Sequence, residues 1–259
     1  MHGAAQSQPD WTTFSYLPTD DAMNHYTVSR RALRPPATLV FAGVVLSVVA
    51  GLFHAGPPAN NHVVAFAEYA RSTPWIAVHL GQFAGMLLIV AGLVGLFVVR
   101  STQPGQPAWL GRFGALAAVV SLGLYAVLQA VDGVALKHAV DAWAAAPEGL
   151  KAARFASAET MRWLEWAVRS YHSFMFGLSL VLLGWWIGLI GGLPKAIGYV
   201  MCLSGLTYLA QGWVLGVEGF SAANDLAIVL GIVLTVAWSV WLLVAAWTSR
   251  TDKPSGQAV

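Results

Sequence analysis

WIAVHLGQFAGMLLIVAGLVGLFVV, residues 75–99, contains no acid, lysine or arginine, and its strongly polar side chains are His79 and Gln82. A helix rises 1.5 Å per residue, so about 20 apolar residues cross a hydrocarbon core about 30 Å thick. Five further stretches of bilayer length flank this one: Pro36–Ala55, Phe113–Val134, Leu164–Ile190, Ala196–Val217 and Leu226–Trp247. Pro35, Pro36, Pro57, Pro58, Pro74 and Pro194 stand at the edges of these stretches. Proline is tolerated at the ends of helices and breaks their interiors, so the pattern reads as helix.

Composition agrees. The chain of 259 residues is 57% hydrophobic and 10% charged, with a mean hydropathy of +0.63, whereas soluble domains carry about 25% charged residues. The fold class is an all-α integral membrane protein, a six-transmembrane-helix bundle. Residues 1–34 read as a polar cytoplasmic tail, 35–250 as the membrane domain and 251–259 as a second cytoplasmic tail. A net charge of +2 gives no basis for a nucleic-acid partner. The single cysteine, Cys202, excludes an intrachain disulfide and reads as a small core residue.

Two connections carry structure of their own. Ala59–Thr73 reads as a short interfacial helix capped by Asn60 or Asn61, and Asp141–Met161 as a helix on the surface or an extension of the fourth span. The third span is free to run on to about Trp143. Orientation follows from basic residues near span ends. Arg30, Arg31, Arg34, Arg100, Arg112, Lys195, Arg250 and Lys253 lie on one side with few acids nearby. Arg71, Lys137, Lys151, Arg154, Arg162 and Arg169 lie on the other, offset by many acids. Both termini are therefore expected in the cytoplasm of a multi-pass protein, for example in the bacterial inner membrane. Trp75, Trp143, Trp163, Trp166 and Trp213 fall near outer ends, and Trp109, Trp185, Trp186 and Trp247 near inner ends, where amphipathic rings favour the headgroups. Gly43, Ser47 and Gly51, with Gly81 and Gly85, have the spacing of close helix packing.

Polar residues within the spans form stripes at helical spacing. Ser121, Tyr125, Gln129 and Asp132 share one face, as do Arg162, Glu165, Arg169, His172 and Ser179. Ser204, Tyr208, Gln211 and Glu218 form a third, with His79 and Gln82, and Ser47 and His54, on two more spans. Charged groups in lipid normally face the bundle interior, so the stripes are expected to converge. His54, His79, Asp132, His172 and Glu218 each stand roughly 20–23 residues from the basic residue at the inner end, at similar heights within about one turn. His138 counts higher. Met86–Val99, Leu180–Ile190 and Ala196–Leu203 are free of charge. The expected feature is a polar pocket in the outer leaflet, closed below by apolar packing and unable to conduct ions.

Imidazole and carboxylate together suit a Cu, Fe or Zn ion, and a pair of histidines suits haem b. His54, His79 and His172 are the candidate cofactor ligands, with Asp132 and Glu218 completing a metal site. Glu165, Arg169 and Asp132 are the candidate catalytic residues, Arg169 as the contact for a carboxylate of a substrate or of haem. The same spacing of Glu165 and Arg169, and of Lys137 and Asp141, also describes plain intrahelical ion pairs. No H-E-x-x-H motif is present. The function expected is redox or hydrolytic chemistry on a small or lipophilic molecule. A hydrogen-bonded polar core, a transporter or binder of an organic solute, and a non-catalytic subunit with partner chains are the competing readings.

Overall fold

A computed structural model describes residues 30–54, 56, 59–101 and 108–248. The two tails up to residue 29 and beyond 248, the prolines at 57 and 58, and Arg250 and Lys253 lie outside the described residues. Among the described residues eight α-helices follow one another: α1 (Arg34–Leu52), α2 (His62–Arg71), α3 (Trp75–Ser101), α4 (Ala108–Ala130), α5 (Lys137–Ala144), α6 (Glu148–Ile190), α7 (Lys195–Glu218) and α8 (Ala222–Trp247). A 3-10 turn, Arg30–Leu33, leads into α1, and a π-helical turn, Val131–Leu136, joins α4 to α5 without interruption. Six helical segments are long and apolar enough to cross a membrane: α1 with its leading turn, α3, the continuous Ala108–Ala144, α6, α7 and α8.

The spanning segments pack in chain order, α1 on α3, α3 on α4, α4 on α6, α6 on α7 and α7 on α8, and α8 returns to α1. The result is a closed ring of six. Its edges follow sequence signals. Pro35 and Pro36 occupy the first turn of α1, where the missing N–H costs nothing. Asn61 caps α2 by accepting from the Val64 amide at 3.3 Å, and Ser221 caps α8 by accepting from Asn224 at 3.3 Å. Gly191 ends α6 at φ 67°, a backbone region that favours glycine.

The third and fourth spans take the longer of the limits that the sequence allowed. The third runs through the π turn to Ala144, and the fourth begins at Glu148, so the alanine-rich segment extends α6. Small residues bring backbones together as expected at Gly43, Ser47 and Gly85. A Cβ on Gly43 would lie 2.5 Å from the Gly85 carbonyl oxygen of α3. Gly51 takes no part, since a Cβ there meets nothing within 4 Å. Trp109, Trp163, Trp185, Trp213 and Trp247 are more than half exposed, as belt residues would be. Trp75 and Trp186, expected in the same belt, are instead buried.

Two apolar clusters result. The larger fills the ring toward the α6–α7 turn, with Leu93, Leu96, Leu183, Trp186 and Ile187 at its centre. The smaller joins α2, the start of α3, the π turn and the start of α6 through Phe66, Tyr69, Trp75, Leu136 and Ala158. The candidate site lies against this second cluster.

Candidate functional site

His54 follows the end of α1, in a turn closed by its amide bonding to Gly51 O at 3.1 Å. His79 stands one turn into α3. Its Nδ1 lies 2.7 Å from the carbonyl oxygen of Trp75 in the turn below. Asp132 lies in the π turn, and the indole N–H of Trp75 donates to its backbone oxygen at 3.0 Å. Trp75 therefore ties α3 to the π turn, which is why it is buried. π turns inserted in α-helices occur frequently at functional sites. Here the turn brings Gly133 so close to His79 that a Cβ would lie 2.7 Å from the histidine Cβ.

Among the described residues, His54, His79 and Asp132 form a group whose donor atoms all lie within 4.8 Å of one another. The His54 and His79 rings are 5.2 Å apart, and both pack on Trp75, at 5.0 and 4.6 Å. Tyr69 of α2 closes this aromatic box at 4.3 Å from Trp75, and burial pushes its phenol up to about 12, so it remains a neutral wall.

A carbonyl oxygen only accepts, so His79 Nδ1 carries a proton. Nε2 faces Asp132 Oδ2 at 3.1 Å. Either a proton on Nε2 donated to the carboxylate or a cation held between the two atoms accounts for this separation. The distance is close to the ~3.3 Å between two ligand atoms bonded at 2.0–2.1 Å to one tetrahedral ion. A histidine whose other nitrogen donates to a backbone carbonyl is the usual arrangement of a metal ligand. Asp132 Oδ1, buried and without a hydrogen-bond partner, is a further donor available to such an ion.

Behind the group runs a buried ion network. Arg169 Nη2 donates to Asp132 Oδ2 at 3.2 Å and lies 3.3 Å from Glu165 Oε1. Glu165 Oε2 accepts from Arg162, whose other guanidinium nitrogen donates to Ala59 O at 3.3 Å. Phe220 of the α7–α8 turn covers both arginines, 4.4 Å from Arg162 and 5.4 Å from Arg169. Two acids and two arginines cancel, which is the condition under which charges persist in a bilayer interior. Lys137 and Asp141 form the expected surface pair at 2.6 Å.

Two of the expected ligands lie elsewhere. His172 is buried against Tyr125 and Phe176, and its Nδ1 lies 3.0 Å from Ser121 O. Ser121 is about 16 Å along α4 from Asp132 at 1.5 Å per residue, so His172 sits some three turns nearer the apolar half. Counting from Lys195 misplaced it because that count crosses the α6–α7 turn. Glu218, the last residue of α7, is exposed, and what holds it is Asn60 donating to its backbone oxygen at 3.3 Å. Of the described groups on the α6 stripe, Arg169 is the one that pairs with Asp132, at 3.2 Å.

Haem b does not fit between His54 and His79. Their rings are 5.2 Å apart and tilted by 55°, with no slot for a macrocycle between them. Sequence reasoning missed the roles of Trp75 and Gly133. The i, i+4 spacing of Trp75 and His79 was the available signal for the first, and nothing local marks the second.

Comparison with protein-family models, with characterised proteins and with solved structures finds no match to this chain.

Proposed function

We propose that His54, His79 and Asp132 form a metal centre inside the membrane bundle, serving redox or hydrolytic chemistry on a small, lipophilic molecule. The observation that carries this reading is the convergence of His54, His79 and Asp132, whose donor atoms lie within 4.8 Å of one another with His79 Nε2 at 3.1 Å from Asp132 Oδ2. Two imidazoles and one carboxylate suit Zn, Cu or Fe, and three protein ligands leave a position for water or substrate. Such an ion supplies Lewis acidity, an activated water or an electron. Arg169 fixes the Asp132 carboxylate by its Oδ2, and Glu165 orients Arg169. In this reading both termini are cytoplasmic, in a membrane such as the bacterial inner membrane, and the centre lies in the outer leaflet.

One observation favours a second reading. Arg169 already neutralises Asp132, as in a purely structural ion network. Elemental analysis of protein purified in mild detergent separates the two. The metal reading expects about one ion per chain, lost in His54→Ala, His79→Ala and Asp132→Ala and kept in His172→Ala and Glu218→Gln. Metal-free wild-type protein that cannot be loaded with Zn, Cu or Fe would leave the structural reading.

A further inference from the structure

A cavity of about 260 Å³ opens between α3 and the α4–π-turn segment. Ile76, Leu80 and Val134 form its rim and are 54%, 66% and 46% exposed. All three are apolar and belong to segments apolar enough to cross a membrane, so the mouth opens sideways from the bundle, toward lipid, and not along its axis. The lining is apolar except for His79 and Gln129.

Gln129 is only 8% exposed, and its amide makes no hydrogen bond of full geometry; the Tyr125 side chain offers it a looser one. An amide so poorly paired beside hydrocarbon is costly, and lipid cannot satisfy it. A ligand head that both donates and accepts removes that cost. A charged head is excluded by the apolar walls. A carbonyl alone would leave Gln129 Oε1 to the looser Tyr125 contact, whereas a hydroxyl can pair with both ends of the amide. The volume is below the roughly 300–1,000 Å³ of pockets that enclose a whole small ligand. It holds a head and the first carbons, with the remaining chain lying in the bilayer.

We infer that this lateral cavity binds a neutral, membrane-dissolved alcohol or phenol, its hydroxyl on Gln129 and its chain leaving between Ile76 and Val134. His79 lines the same cavity, so the hydroxyl end lies beside a ligand of the proposed metal centre. The identity of this molecule as the substrate rests on the metal-centre reading, whereas its binding does not.

The test uses the full chain in lipid nanodiscs and a long-chain alkyl alcohol carrying a photoactivatable diazirine next to the head. Labelled positions are mapped by mass spectrometry. Saturable labelling of the segments around Ile76–Phe83 and Ala126–Val134, displaced by unlabelled alcohol, is expected. Gln129→Leu and the methyl ether of the probe should each weaken binding by about 10-fold, the value of one hydrogen bond to an otherwise poorly paired buried group. Ala130→Phe, on the cavity wall, should abolish labelling, and it tests the site independently should Gln129→Leu misfold. Labelling spread evenly around the bundle, or insensitive to both variants, would overturn the inference. Metal content is measured on the same samples. Localised labelling of metal-free protein would sink the metal reading and keep the cavity, and metal without localised labelling would do the reverse.

Discussion

The two halves of this bundle are built from the same helices and held by different physics. Toward the α6–α7 turn the interior is Leu93, Leu96, Leu183, Trp186 and Ile187, all at most 1% exposed. Backbones there are nearly in contact: a Cβ on Gly184 would lie 2.6 Å from the Gly198 carbonyl oxygen. Toward α2 and the α5–α6 turn the same helices bury Asp132, Glu165 and Arg162 at 1%, 0% and 3% exposure. Lipid tails are as apolar as leucine, so helices in a bilayer associate through close packing and polar contacts. The apolar half supplies the close packing, and a charge buried at its end, Arg100, donates to the Gly191 carbonyl oxygen of the α6–α7 turn. The polar half carries charges whose desolvation is costly and which persist only as a balanced set. Stability that is unnecessary for holding the helices together marks the half where chemistry is to be sought.

The largest test of this contrast removes one member of the set. Glu165→Ala leaves Arg162 and Arg169 short of a buried counter-charge and should cost about 3–5 kcal/mol in detergent unfolding. A loss below about 0.5 kcal/mol would show that the network is not coupled and would erase the distinction. Gly184→Ala tests the other half. It drives a methyl into the Gly198 backbone and should cost about 1–3 kcal/mol, with metal content per folded chain unchanged. A loss of metal in that variant would mean that the halves are not independent. The smallest effect is expected at Asp141→Ala. Its pair with Lys137 is 2.6 Å long, but the aspartate side chain is 45% exposed, and such pairs contribute about 0–1 kcal/mol. A larger cost would place this surface pair in the buried network.

Much of the molecule could be read from local pattern. The uncharged run of residues 75–99 specifies a spanning helix whatever surrounds it. Asn61 and Ser221 mark helix starts because capping is a contact over three residues. The stripe containing Glu165 and Arg169 faces inward because a charged face cannot meet lipid. The same logic failed at His172 and Glu218. Height estimated from basic residues assumes straight helices of equal tilt, and it is silent on which neighbour a side chain meets. Trp75 was misread for a related reason. An aromatic near a span end is as ready to bond a neighbouring helix as to sit at a headgroup, and only the partner, Asp132 O, decides.

Hydropathy, proline placement and helical spacing are properties of consecutive residues, so the sequence by itself determined six apolar helices, their order, and the inward polar faces on them. Which groups meet depends on helix rotation, length and irregularity, and these are set by packing between residues far apart in the chain. The π turn at Val131–Leu136 is the sharpest instance. It exists where Trp75, His79 and Gly133 lock two helices together. It brings Asp132 to His54 and His79 while leaving His172 three turns away.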